Sequence, residues 1–124
     1  MEQRVRGPNH LCYAHQPCFV SEFGGIWWNE ELARQAQHES ADDPERADSW
    51  GYGERVRMLE EWHERFAGLT NPLLSNPDMF GYCYTQLTDV FQEQNGLYDF
   101  HSRPKVEIRR VAEVQRQAAA YERE

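Results

Sequence analysis

The chain has little positive charge. Its 124 residues include 13 Lys and Arg against 21 Asp and Glu, which gives a formal net charge of -8, and Lys105 is the single lysine. A protein that binds a phosphate backbone concentrates Lys and Arg on one surface, and no stretch of this sequence collects them. The composition therefore excludes a nucleic-acid-binding surface.

Cysteines and long apolar runs are also scarce. Cys12, Cys18 and Cys83 are odd in number and form no C-x-x-C pair, which indicates reduced thiols in a cytosolic setting. We expect Cys18 and Cys83 to be small core residues, because both lie in apolar runs. No run approaches the roughly 18 to 20 apolar residues that cross a bilayer, and the N-terminus lacks the apolar region of a signal peptide. These absences predict a cytoplasmic protein without a membrane partner.

The histidines show no metal-site pattern. None of them shares a helical face with another ligand type in a recognisable motif. The five are His10, His15, His38, His63 and His101. We therefore predict neither a metal ion nor another cofactor.

One carboxylate stands where a buried strand gives way to a turn. Residues 18–20 form a short apolar run, Glu22 follows it, and Gly24 and Gly25 let the backbone turn. In parallel α/β proteins, ligands and catalytic groups gather at the carboxyl ends of strands. Glu22 is therefore a candidate catalytic residue, and the alternative is a solvated side chain in a Gly-rich turn.

The remaining patterns predict the order strand, helix, strand, helix. Apolar spacings of three and four residues predict helices over 54–69 and 105–122, and Asn71-Pro72 should end the first. A second apolar strand runs over 79–87. Two strands joined by a crossover helix must be parallel. The predicted fold class is α/β, and strands that are apolar on both faces indicate part of a larger sheet.

The other segments are polar or aromatic. Residues 1–16 are an irregular lead-in, and 29–48 are predicted to be a surface loop with a turn or two of helix. Trp27 and Trp28 follow the first strand. They belong either to the core or to a wall on which a sugar stacks.

Several motifs follow one another in a specific order. They are Ser21-Glu22-Phe23-Gly24-Gly25, then Ser49-Trp50-Gly51-Tyr52-Gly53, then the run from Gly81 to Val90, then Gln94-Asn95-Gly96-Leu97-Tyr98 and Arg103-Pro104-Lys105. Through these motifs, over about residues 16–120, the chain resembles glycoside hydrolase family 2, which includes β-galactosidases, β-glucuronidases and β-mannosidases.

The resemblance implies a (β/α)8 TIM barrel. Residues 1–124 would be a C-terminal fragment of that catalytic domain with its last two β/α units, the seventh strand being Cys18–Ser21 and the eighth Phe80–Gln86. Glu22 matches the family's nucleophile. The family's acid/base Glu follows an Asn at the end of the fourth strand, and no such strand precedes Glu22. Because a full barrel takes about 250 residues, the chain is expected to have the nucleophile half of the site without the proton donor.

The resemblance also implies substrate contacts. Thr85 stands where the family often has a Trp as the floor of the sugar site, and Trp28, Tyr82 or Tyr84 could replace that surface or belong to the core. Glu93 and Asn95 stand where glucuronidases place the Asn and Lys that bind the uronate carboxylate. Because an acidic side chain repels a uronate, a neutral hexoside is favoured.

Two functions are consistent with the sequence. The first is a retaining β-glycoside hydrolase, acting in carbohydrate metabolism, that needs the rest of the barrel or self-association and is inactive as the isolated chain. The second is a non-catalytic remnant that binds sugar or another protein, with Trp27, Trp28 and Tyr84 as its contact residues. The expected partner of the first is a β-linked carbohydrate.

Overall fold

A computed structural model describes residues 15–36 and 49–123. The predictions for the lead-in before residue 15 and for 37–48, with Cys12, His10 and His38, lie outside the described residues. The elements in chain order are β1 (Cys18–Gly24), α1 (Glu30–Ala36), α2 (Leu59–Leu74), β2 (Met79–Thr85), α3 (Ile108–Gln115) and a short 3-10 helix (Ala120–Arg123).

β1 and β2 form a two-stranded parallel sheet. Their register pairs Cys18 with Met79, Val20 with Tyr82 and Gly24 with Thr85. This confirms the predicted parallel pairing and brings the carboxyl ends of both strands to one edge. The closed eight-stranded barrel stays a prediction.

The core lies between the helices and the segment that follows β1. Ile26 and Trp28 from that segment are buried with Trp62 and Phe66 of α2 and with Val111 of α3. The rings of Trp62 and Phe66 stack with centroids 5.2 Å apart. The core therefore lies close to the carboxyl ends of the strands and supports the loops that follow them.

α1 is the turn or two of helix expected within 29–48, whereas α2 differs from its predicted segment. α1 begins after Asn29, whose side-chain oxygen accepts a hydrogen bond from the Leu32 N–H at 2.9 Å, as an N-cap does. The predicted helix over 54–69 is wrong in its bounds, because α2 covers Leu59–Leu74 and includes Pro72. The stripe of Trp62, Phe66, Thr70 and Leu74 is buried at every fourth residue, which extends the helix past the expected stop.

α3 is also shorter than predicted. The helix expected over 105–122 begins at Ile108 and ends at Gln115. Lys105 lies in a bend instead, and its N–H donates to the Leu97 carbonyl at 2.9 Å. Glu107 has an extended backbone, with φ -74° and ψ 91°, so the helix begins after it, later than its apolar pattern indicates.

The sheet is less covered than expected. Cys83 is exposed and Cys18 is partly exposed, so the prediction that both are core residues is wrong for Cys83. Phe19 and Phe80 are each about half exposed and lie against one another at the amino ends of the strands. Within 15–36 and 49–123, the structure has no helix long and apolar enough to cross a membrane.

Candidate functional site

A bulge in β1 presents Glu22. Between the pairs Val20–Tyr82 and Phe23–Tyr84, β1 has two residues, Ser21 and Glu22, where β2 has only Cys83. An extra residue interrupts strand alternation and re-aims the side chain that it displaces. Glu22 is consequently exposed near the carboxyl end of β1.

Two glycines follow the bulge and turn the chain across β2. Gly24 and Gly25 have φ values of 92° and 58°, in the region that favours glycine. The Gly25 N–H donates to the Thr85 carbonyl at 2.7 Å. A Cβ on Gly25 would lie 2.2 Å from the Tyr52 ring, so only glycine leaves room for that ring.

Tyr52 connects this turn to the carboxylate. Its N–H donates to the Gly25 carbonyl at 2.7 Å, and its phenol O–H donates to Oε1 of Glu22. The hydrogen bond to the carboxylate raises the pKa of Tyr52 above its ordinary value, and desolvation and the charges of Glu22 and Glu93 add to the effect. The phenol therefore stays protonated and remains a donor to Glu22.

Glu93 and Asn95 lie on the neighbouring loop. Residues 50 and 93 form a parallel bridge, which places the Glu93 segment beside the Tyr52 segment. Asn95 is fully buried, and its Nδ2 donates to Oε1 of Glu93 at 3.2 Å. Oδ1 of Asn95 and Nε2 of Gln86 are buried without a partner among the described residues. The structure thus brings Glu22, Tyr52 and Glu93 together, with Asn95 beneath.

Tyr84 ties the two strand ends to each other. Its ring packs on Trp62 and Phe66, and its hydroxyl accepts from the Ile26 N–H and donates to the Asn95 carbonyl, both at 3.3 Å. Burial raises its pKa far above the ordinary value. The structure therefore uses Tyr84 as a packed support for this edge of the sheet.

Thr85 and Trp28 have different surroundings. Thr85 is partly buried, and its peptide bond to Gln86 is cis. Trp28 is 5% exposed, and its indole N–H donates to the Lys105 carbonyl at 3.1 Å. Trp28 thus belongs to the core, which is one of the two places that its sequence position allowed, and it is not brought together with Glu22.

A polar cleft of about 490 Å³ is lined by Trp28 and Lys105, and its lining does not include Glu22, Tyr52 or Glu93. Its floor includes the ion pair of Lys105 Nζ with Asp89 Oδ1 at 2.6 Å, whose side chains are 10% and 8% exposed. Asp89 also accepts from the Gly96 N–H at 2.9 Å. Burial raises the pKa of Asp89 and lowers that of Lys105, and each partner's charge opposes the change. The pair fixes the loop that contains Glu93 and Asn95.

The sequence patterns gave no role to Trp50 and Tyr52, although both lie in the motif over residues 49–53. The available signal was their spacing, because residues two apart in an extended segment lie on the same side. Across residues 15–36 and 49–123, no group of His, Cys, Asp and Glu could hold a metal ion.

The chain matches no protein-family model and no curated protein. The geometry around Glu22 and the motifs of the sequence therefore carry the functional assignment. The residues that matter most for it are Glu22, Tyr52 and Glu93.

Proposed function

We propose that this chain supplies the nucleophile half of a retaining β-glycoside hydrolase, with Glu22 as the nucleophile. The observation that supports this most is an exposed carboxylate at the carboxyl end of a parallel strand that accepts a hydrogen bond from Tyr52. The motifs shared with glycoside hydrolase family 2 point to the same residue. The fold that goes with the proposal is the final part of a TIM barrel.

The chemistry requires an ionised, oriented carboxylate. One oxygen of Glu22 attacks the anomeric carbon of the sugar, and the bond from that carbon to the leaving oxygen breaks. The Tyr52 hydroxyl bonds to Oε1 and holds the carboxylate in one orientation. The raised pKa of Tyr52 keeps the proton on the phenol, so the phenol remains a hydrogen-bond donor to Glu22.

A second carboxyl group must protonate the leaving oxygen of an ordinary glycoside. In retaining enzymes it stands about 5 to 5.5 Å from the nucleophile. We propose that this group comes from the missing part of a barrel, which would also pair with the open edges of β1 and β2. The isolated chain should therefore hydrolyse ordinary glycosides poorly, because protonation contributes roughly 10²–10⁴ in rate.

The test uses a sugar donor that needs no proton. A dinitrophenyl β-galactoside fluorinated beside the anomeric carbon releases dinitrophenolate as a stable anion with the electron pair of the broken bond. The new bond joins the anomeric carbon to an oxygen of Glu22, and the fluorine slows hydrolysis of this ester. We expect mass spectrometry of the full chain to find the added sugar on the peptide that contains Glu22.

Two variants control this experiment. Glu22→Gln should abolish the adduct, whereas Glu93→Gln should keep it because the neighbouring carboxylate is not the nucleophile. The absence of an adduct on the wild-type chain, or its persistence in Glu22→Gln, would contradict the proposal.

The sugar preference follows from charge. Glu93 bonds to Asn95 and lies close enough to Tyr52 for its charge to act on the phenol. A uronate carboxylate placed there would meet two negative side chains, so a neutral hexoside is the better substrate. The matched fluorinated glucuronide should label Glu22 more slowly than the galactoside. Glu93→Gln should reduce the difference between these two labelling rates.

A further inference from the structure

Trp50 and Tyr52 form an exposed aromatic pair beside Glu22. Their ring centroids are 6.5 Å apart and the rings are inclined by 24°. The side chains remain 49% and 42% exposed, although large aromatic residues are usually buried. Because the Tyr52 hydroxyl bonds to Glu22, the pair extends outward from the carboxylate.

The backbone fixes this pair in place. The Trp50 N–H donates to the Gln92 carbonyl at 2.7 Å, and the Trp50 carbonyl accepts from the Gln94 N–H at 2.8 Å. Gly51 lets the segment approach Trp27, since a Cβ there would lie 2.3 Å from the Cβ of Trp27. The Trp50 backbone is therefore fixed before any ligand binds, and the Trp50 ring lies against the Tyr52 ring, which lowers the entropy cost of binding.

The neighbouring tryptophans have structural partners. The indole N–H of Trp27 donates to Oγ of Ser49, and that of Trp28 donates to the Lys105 carbonyl, both at 3.1 Å. Trp62 is completely buried. Core packing thus explains Trp28 and Trp62, and the bond to Ser49 holds Trp27, but neither kind of contact accounts for the half-exposed ring of Trp50.

We propose that Trp50 is the stacking surface for the second ring of a β-linked carbohydrate whose reacting ring lies at Glu22. This inference rests on the proposed function and assigns Trp50 as the residue that selects substrates with more than one ring. Tyr52 lies between the two positions and holds both the carboxylate and the Trp50 ring.

The chemistry of the ring suits a neutral hexose. One face of a β-linked pyranose presents C–H groups with partial positive charge, and the face of an indole ring is negative. The sugar hydroxyls at the ring edge stay in water. A uronate ring would instead bring a negative charge toward Glu22 and Glu93.

The test compares one-ring and two-ring ligands. Methyl β-galactoside and methyl β-lactoside are titrated into the full chain and followed by NMR of the indole N–H groups. We expect the lactoside to bind more tightly and to shift the Trp50 signal. Trp50→Ala should weaken lactoside binding by about tenfold, which is ~1.4 kcal/mol, and change galactoside binding by less than about twofold. The lactoside affinity of Trp50→Phe should lie between those of Trp50→Ala and the wild type.

The matched control is another exposed aromatic pair. Phe91 and Phe100 are 73% and 61% exposed with centroids 5.6 Å apart, and neither bonds to Glu22. Phe100→Ala should leave both affinities unchanged, and thermal unfolding shows that each variant is folded.

Three results would overturn the inference. They are equal lactoside binding by Trp50→Ala and wild type, no gain from the second ring in the wild type, and no binding of either ligand. Failure of the proposed function shows separately, as the lack of an adduct on Glu22. An adduct with no Trp50 effect removes only the stacking role, and a Trp50 effect with no adduct leaves sugar binding without catalysis.

Discussion

Two regions of this molecule are held together in different ways. The rim, which we define as residues 24–29, 49–53, 86–98 and 105, has little regular structure. Ile26 and Trp28 of the rim pack in the core, and the rest of the rim is joined by backbone hydrogen bonds between loops and by the buried pair of Asp89 and Lys105. The helix layer, α2 with α3, is held by apolar packing and by the exposed pair of Glu60 and Arg110. Trp50, Tyr52 and Glu93 of the candidate site lie in the rim and Glu22 comes just before it, so the site depends on single polar contacts more than on broad packing.

The largest expected difference between the two regions comes from their ion pairs. Lys105→Met leaves Asp89 buried without its cation, which should lower the free energy of unfolding by roughly 3–5 kcal/mol. Arg110→Met removes an exposed partner of Glu60 at 2.7 Å and should have a much smaller effect. Urea unfolding at neutral pH measures both changes.

A double variant tests the cause. Asp89→Asn combined with Lys105→Met removes both charges and should recover part of the loss. Burial already raises the pKa of Asp89, so the penalty of Lys105→Met should also shrink at acidic pH as that carboxyl is protonated. Equal losses for Lys105→Met and Arg110→Met would remove the distinction between the rim and the helix layer.

Glycine substitution should distinguish a crowded position in the rim from an open one. Gly25 and Gly53 both have positive φ, 58° and 69°, and only Gly25 is crowded, by Tyr52. Alanine at either position should cost about 1 kcal/mol or more in unfolding free energy because of the backbone conformation. Gly25→Ala should cost more than Gly53→Ala and should also slow labelling of Glu22, since the Tyr52 ring must move. Similar labelling rates in the two variants would contradict the role of Tyr52.

The smallest effect concerns pH and the helix layer. Nε2 of His63 in α2 accepts the Glu107 N–H at 3.2 Å, just before α3. Burial lowers the pKa of His63 below 6.5, Arg110 lowers it further, and Glu107 and Glu60 oppose the change. The unfolded chain therefore binds a proton on His63 more readily than the folded chain does. The contribution of His63 to the free energy of unfolding should be fully present above pH 6.5 and should fall as the pH drops below that value.

His63→Gln is the control for this dependence. Its side-chain oxygen can accept the same N–H but does not titrate, so the variant should lose the pH dependence at a cost of about 0.5–1.5 kcal/mol or less at neutral pH. Thermal unfolding from pH 5 to 8 measures the change. An unaltered pH profile in the variant would show that another group is responsible.

Local patterns predicted the parts of the fold that depend on local sequence. β1 and β2 begin at the expected residues, Cys18 and Met79, because a short apolar run marks the start of each strand. The end of α2 was misplaced because the burial of Thr70 and Leu74 outweighs the helix-breaking tendency of Pro72. Tertiary packing, which a short window does not contain, decided that boundary.

The candidate site was predictable only at its carboxylate. Glu22 follows an apolar run that any reader of the sequence can find. The bond from Tyr52 joins residues that lie 30 positions apart, and it depends on the room left by Gly25 and on a bridge between residues 26 and 52. The spacing of Trp50 and Tyr52 places them on one side of their segment, but no pattern in the sequence shows that this side faces Glu22.

Because β1 has an extra residue before Phe23, the number of residues at this point determines the direction of Glu22 more than the identity of residue 21 does. Between Val20 and Phe23, a one-residue deletion would restore regular alternation and turn the acidic group toward the opposite side of the sheet. Substitutions at Ser21 leave the spacing intact. Any lineage of related chains that uses this carboxylate should therefore tolerate changes of residue 21 while rejecting insertions and deletions there.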